Sequence, residues 1–393
     1  METNAFQGFL ASIRRVLQSI GRLVGLSRIR VPEFPLTDED LPVMTATDGI
    51  AYVQTPDEFF ADLPDWPYGA QYVVIDGLRQ AYVDAGPADA KETILLLHGQ
   101  PSWSYLYRKM IPVLAGAGHR VIAMDHLGMG RSDKPIDLDY YSYANHVYRL
   151  ERFLRELELT SITPFVQDWG SVIGLNVIGN HPELFARVVV GNGALPEFAE
   201  GQIPFPLPQD VDQAIQAFAR SIARIPPQQP KFYNEDGQLR AIMARQGGGY
   251  FGNWILYARH SEDFRASTIV EAMTYFPLTA EERAAYDAPF PARIAMAAPR
   301  TFPGLANTLG GATQSAWKGL EAFHKPFLTI WASNDPGQLG RPEAQQLLIE
   351  RVPGAKGQPH ARLPQASHFL QDDQGQEIAR RINEFIAATP LGR

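Results

Sequence analysis

Phe165-Val166-Gln167-Asp168-Trp169-Gly170 runs from an apolar, strand-like stretch directly into a helix-like one, with an acid standing on the junction. A carboxylate at such a place needs a reason, because burying a charge without partners is costly. One reading is that Asp168 caps the following helix by accepting from the N–H groups of its first turn. The other is that a sharp strand-to-helix turn lifts the side chain above the sheet edge, beside the positive end of the helix.

Working outward, the same alternation repeats. Downstream come a helix from about 171 to 179 and the apolar run Val188 to Val190. Upstream lie a helical stretch from about 143 to 157, the runs Val121 to Met124 and Thr93 to Leu97, and two strand patterns flanking the turn signal Asp76-Gly77. Short, wholly apolar runs between helices indicate strands buried on both faces, so the spacing predicts an α/β fold with a mostly parallel central sheet flanked by helices. From about Leu195 to Trp317 the alternation gives way to helical, proline-interrupted sequence, and it returns with Phe327 to Trp331 and an amphipathic helix from about 374 to 387. The expected organisation is an N-terminal amphipathic helix over 1–30, an irregular approach over 31–66, a main domain of 67–195 and 318–393, and an inserted helical cap over 196–317.

Composition narrows the function. The 393 residues are 45% hydrophobic and 20% charged, as in ordinary globular chains, and the net charge of −8 disfavours a nucleic-acid surface. With no cysteine, disulfides, thiolate nucleophiles and Cys-based metal sites are excluded. The nine histidines show no His-Glu-x-x-His spacing, and Gly128-Met129-Gly130 lacks the third glycine of a dinucleotide site, so neither metal nor organic cofactor is expected. Residues 1–30 carry five arginines against Glu2, and their apolar positions recur at spacings of three and four. Docking on the main body or a second subunit, and peripheral contact with a membrane surface, both remain open for this helix. No apolar run reaches the roughly eighteen residues of a membrane span, and a cytoplasmic location is expected.

Three further segments bear on Asp168. His98-Gly99-Gln100-Pro101 follows the Thr93 to Leu97 run, where the Gln100 N–H can join that of Trp169 as an oxyanion hole, with His98 in a structural role. Trp331-Ala332-Ser333-Asn334-Asp335 places an acid just beyond a strand, and Ala366-Ser367-His368-Phe369 places a histidine before the last helix. The order nucleophile, acid, histidine is that of the α/β-hydrolase triad.

His98-Gly99-Gln100-Pro101-Ser102-Trp103-Ser104-Tyr105-Leu106-Tyr107-Arg108, Asp125-His126-Leu127-Gly128-Met129-Gly130-Arg131-Ser132-Asp133-Lys134-Pro135 and Gln167-Asp168-Trp169-Gly170 together resemble the haloalkane dehalogenases, over roughly residues 50 to 393. The resemblance implies an α/β-hydrolase fold with a helical cap. Asp335 is similar to the acid that one subfamily carries after the seventh strand, whereas others carry it after the sixth, where this chain has Asn192. The implied roles are Asp168 as nucleophile, His368 as general base, Asp335 as its orienting acid, Gln100 and Trp169 as oxyanion donors, and Trp169 and Trp254 as halide ligands. Trp254 is assigned by its position upstream of Asp287-Ala288-Pro289-Phe290-Pro291. The implied substrate is a small apolar halogenated molecule, with halide as a product. Epoxide hydrolases share the Asp attack and use lid tyrosines, for which Tyr233, Tyr250, Tyr257, Tyr275 and Tyr286 are candidates. A non-catalytic binding module is the reading from a different class.

Overall fold

The computed structural model describes residues 33–223 and 249–391. The chain divides into two units, Met1–Glu33 and Phe34–Arg393. The helix expected over residues 1–30 lies outside the described residues.

The larger unit is organised around an eight-stranded sheet: β1 (Gln71–Ile75), β2 (Leu78–Ala85), β3 (Thr93–Leu97), β4 (Arg120–Met124), β5 (Ile162–Gln167), β6 (Val188–Gly191), β7 (Phe327–Ala332) and β8 (Ala361–Leu363), in the spatial order β1-β2-β4-β3-β5-β6-β7-β8. Only β2 runs against its neighbours. It follows β1 through the two-residue turn Asp76-Gly77, where both φ angles are positive, as tight hairpins between right-twisted strands require. Every residue of β5, β6 and β7 is buried, which is why these strands read as mostly apolar runs, interrupted by Thr163, Gln167 and Thr329.

Helices α1 (Ile111–Gly116), α2 (Tyr143–Glu156) and α3 (Trp169–Asn180) connect the first strands. Ser142 starts α2 by accepting from the Asn145 N–H, and its Leu150, Phe153 and Leu154 are buried. By contrast α3 is apolar almost all round and nearly wholly buried, packed by β5, α2 and the later helix Gln314–Glu321.

Between β6 and β7 lie α4 (Val211–Ala223), α5 (Gly249–His260), α6 (Ala266–Ala272), α7 (Ala280–Asp287), α8 (Ala297–Leu305) and α9 (Gln314–Glu321). Aromatic contacts tie α4 to α5, with Phe218 and Trp254 stacked at 4.9 Å. After β7 come α10 (Pro342–Arg351) and, last, α11 (Leu370–Ala388).

The approach segment is less irregular than its prolines suggest. Met44–Thr45 pairs with Ala51–Val53, which pairs in turn with Lys134-Pro135 in a separate three-stranded sheet. Strands of two or three residues are too short to leave a periodic pattern, and their partner lies about eighty residues away in sequence.

Candidate active site

Parallel strands deliver their carboxyl ends to one edge, and each candidate residue stands just past one of them: Gln100 after β3, Asp168 after β5, Asn192 after β6, Asp335 after β7 and His368 after β8. This is the edge where open α/β sheets gather their chemistry.

Asp168 has φ +50° and ψ −129°, a backbone conformation that a side-chain-bearing residue adopts only where its surroundings enforce it. Its carbonyl accepts from the Ser171 and Val172 N–H groups, and its own N–H donates to the Asn192 carbonyl at 3.2 Å. The turn also needs two bare backbones. A Cβ on Gly99 would lie 2.2 Å from Asp168 Oδ1, and one on Gly170 would lie 2.0 Å from the Leu97 carbonyl oxygen. The side chain makes no capping bond to α3. Oδ1 instead accepts from the Gln100 N–H at 2.8 Å, and Oδ2 stands 3.4 Å from His368 Nε2. The helix-cap reading of Asp168 is therefore excluded.

His368 Nδ1 meets Asp335 Oδ2 at 2.8 Å, and the other Asp335 oxygen accepts from the Gly337 N–H at 2.6 Å. Burial works against charge on the His368 ring. The Asp335 carboxylate at one nitrogen and Asp168 at the other outweigh it, and the ring pKa is pushed up to about 10. Structure thus joins Asp168, His368 and Asp335 in one connected line.

Some residues of this site had no role in the sequence reading. Asn192 accepts from the Ala332 N–H at 2.8 Å and donates to the Ser367 carbonyl at 3.1 Å, so it pins the end of β7 to the loop that carries His368. Asp373 accepts from the N–H groups of Tyr275, Phe276 and Ser367, clasping a turn of the inserted region to the same loop. Its burial, only partly offset by those three donors, pushes its pKa up to about 7. Arg108 is buried and bonds both oxygens of Asp372, Glu282 Oε1 at 2.5 Å and the Tyr286 hydroxyl. It thereby ties the loop after β3 to α7 and α11. Burial opposes charge on Asp372, but Arg108 and Lys109 hold its carboxyl below the usual range. Arg108 left a trace in sequence as the end of the motif that begins at His98, and Asn192 as the residue standing where other subfamilies carry their acid. The others act through pairings between distant segments. His98 is structural, with Nδ1 on the Gly99 carbonyl and Nε2 accepting from the His126 N–H at 3.0 Å.

A cavity of about 820 Å³ opens onto Asp168, and Gln100, Trp169, Trp254 and His368 all line it. Its remaining wall is largely aliphatic and aromatic, with Phe218 and Phe251 among its members. Trp169 is held edge-on by Phe302 at 5.5 Å, and Trp254 lies between Phe218 and Phe264. Among the described residues no tyrosine of the inserted region faces this space: Tyr257 donates to the Asp263 carbonyl and Tyr286 to Asp372. The side chains of Tyr233 and Tyr250 lie outside the described residues. A carboxylate, a backbone donor, an imidazole and two indoles around an apolar cavity can carry out nucleophilic substitution followed by hydrolysis.

Residues 92–373 match the family model of the alpha/beta hydrolase fold. A haloalkane dehalogenase of Mycobacterium marinum is 40% identical over 340 residues, covering 84% of this chain and 98% of that protein. One from Psychrobacter cryohalolentis is 35% identical over 348 residues, covering 86% and 99%. Among solved structures, the tetrameric haloalkane dehalogenase DpaA of Paraglaciecola agarilytica superposes with a TM-score of 0.64 at 28% identity, covering 84% of this chain and 97% of that one.

Proposed function

The chain belongs to the haloalkane dehalogenase family of α/β hydrolases, enzymes that hydrolyse carbon–halide bonds, and we propose that it does so through a covalent ester at Asp168. The observation that carries this assignment is the Asp168 carboxylate itself, held on a strained elbow with one oxygen on the Gln100 N–H and the other 3.4 Å from His368 Nε2.

In the first step an Asp168 oxygen attacks the halogen-bearing carbon, the carbon–halogen bond breaks, and the electron pair leaves with the halide. A halide accepts hydrogen bonds and donates none, while an indole N–H donates and cannot accept. Trp169 and Trp254 hold it, and the apolar cavity keeps bulk water from the carboxylate.

In the second step His368 Nε2 takes a proton from water, whose oxygen attacks the ester carbonyl carbon. The Gln100 and Trp169 N–H groups hold the oxyanion. Collapse expels the alkoxide, which takes the proton from His368, and the water's second proton leaves as the carboxylate reforms. The products are alcohol, halide and a proton.

Electrostatics enforces the order of these steps. While Asp168 is an anion, two carboxylates pull His368 towards its charged form. Alkylation removes one of them, so the ring gives up its proton more readily and stands unprotonated at the stage that needs a base.

Halide release from a panel of bromo- and chloroalkanes, measured by ion chromatography, tests the assignment. Asp168→Ala abolishes release, and His368→Phe yields one equivalent of halide with an alkyl adduct on the peptide containing Asp168. Full turnover by His368→Phe would sink the scheme. An aryl epoxide run in parallel yields no diol.

A further inference from the structure

Gln167, the residue before the nucleophile, is fully buried and points at the catalytic base. Its side-chain Nε2 lies 3.1 Å from the His368 carbonyl oxygen and 3.2 Å from His368 Nε2. A carbonyl oxygen can only accept, so the atom facing it is the NH2 group, and the amide orientation follows from that contact. The second proton of this NH2 is then directed at the ring nitrogen. A neutral Nε2 receives it with its lone pair, whereas the protonated Nε2 that the Asp168 anion favours sets two donors face to face.

The amide is itself held from behind. Gln371 Nε2, fully buried on α11, donates to Gln167 Oε1 at 3.4 Å. The buried Tyr107 hydroxyl, on the loop after β3, stands beside the same Gln371 side chain. If Gln167 turned its oxygen towards the ring, the His368 carbonyl would lose its donor and Gln371 would meet an NH2 group. The His368 loop and α11 therefore fix one orientation.

We propose that Gln167 is a positioning residue that favours the unprotonated form of His368 Nε2 once the ester has formed, yielding the lone pair to the hydrolytic water, and that Gln371 holds its amide in that role. The proposal rests on the assignment of Asp168 and His368 above. Groups facing the ring are Asp335 at Nδ1, Asp168 at Nε2 and the Gln167 amide. On α11, Asp372 is taken up by Arg108 and Lys109, and Asp373 by three backbone N–H groups. Once Asp168 is an ester, Asp335 still pulls the ring towards its charged form, and Gln167 is the donor that opposes it. A hydrogen bond to the neutral form lowers a base's pKa, which keeps the ring unprotonated at neutral pH.

Single-turnover kinetics with 1-bromohexane separates halide release, which needs no base, from alcohol formation, which does. In Gln167→Leu, halide release stays within about threefold of the wild-type rate, while alcohol formation falls roughly tenfold at pH 7. The acidic limb of its pH profile moves up by about one pH unit, the size of one lost hydrogen bond. Gln167→Glu, which sets an acceptor against Nε2, moves the limb further in the same direction. Gln371→Leu touches Gln167 without touching the ring and moves it the same way by less, so it carries the test if Gln167→Leu fails to fold. Halide and alcohol falling together with an unmoved limb would show that Gln167 serves packing alone, and would overturn the proposal. Absence of both halide release and an Asp168 adduct from the wild-type protein would overturn the parent assignment and this inference together.

Discussion

Replacing Asp168 by asparagine reproduces in a stable molecule the charge change that the proposed alkylation brings about. The shape is kept and one negative charge is lost 3.4 Å from His368 Nε2. The interaction of two unit charges at that distance is about 5 kcal/mol at an effective dielectric near 20, and about 1.2 kcal/mol at the value for water. These bounds correspond to about 3.6 and 0.9 pH units. The ring is buried, with a side chain 6% exposed, while Asp168 at 14% opens to the cavity, so the larger figure is an upper bound and a fall of about two units is expected. From a starting value of about 10, His368 then titrates near 8 or below.

The assay is a histidine titration followed by NMR on selectively labelled protein, wild type against Asp168→Asn, with intact mass confirming that the amide survives. His126 and His146 serve as internal controls, since burial lowers both and the charges acting on them come from neighbouring histidine and arginine side chains rather than from Asp168. A His368 pKa within about 0.3 units of wild type, or a rise, would refute the claim that forming the ester releases the base. The sign is fixed, because removing an anion beside a cation can only ease loss of its proton.

Trp254→Phe keeps the stack on Phe218 but removes the N–H donor; the expected loss is about 10- to 100-fold in kcat/KM for bromoalkanes, the range for a hydrogen bond to an anion, at unchanged melting temperature. A loss below threefold would remove this residue from the halide site. Arg108→Met leaves Asp372 with Lys109 and the Tyr286 hydroxyl and Glu282 with Lys109 at 3.9 Å, so urea unfolding should report a loss at the lower end of the roughly 3–5 kcal/mol of a broken buried pair. A loss under about 1 kcal/mol would contradict the network. The cavity of about 820 Å³ has room for more than a short chain, and each added methylene contributes about 0.8 kcal/mol while it stays enclosed. KM should therefore fall roughly fiftyfold from 1-bromopropane to 1-bromohexane, and a flat series would show that the chain does not enter the apolar wall.

What could be read in the sequence is what local pattern encodes. β3, β5 and β7 are buried on both faces and stand out as apolar runs, and Asp168 stands out because an acid breaks such a run at its end. The short strands at 44–45 and 51–53 escaped, since their pairing with Lys134-Pro135 leaves no period to find. Gln167 escaped for another reason. It sat inside the most informative segment, but its meaning lies in a contact with His368, 201 residues away, and nothing beside it announces that partner. Asp373 and Gln371 are likewise defined by which backbone or amide the fold brings to them.

Asn192 shows how such long-range contacts constrain even the proposed triad. Its NH2 group donates to the Ser367 carbonyl while its oxygen accepts from the Ala332 N–H, so the position demands one donor face and one acceptor face at once. A carboxylate there would satisfy the Ala332 N–H but would set an oxygen against the Ser367 and His368 carbonyls, acceptor against acceptor. The loop carrying His368 would have to move, and with it the ring that Asp335 and Gln167 now hold from two sides. The end of β6 is thereby closed to an acid in this chain. Asp335, with Gly337 N–H on its far oxygen, is left as the carboxylate that can orient the base without disturbing the loop on which that base stands.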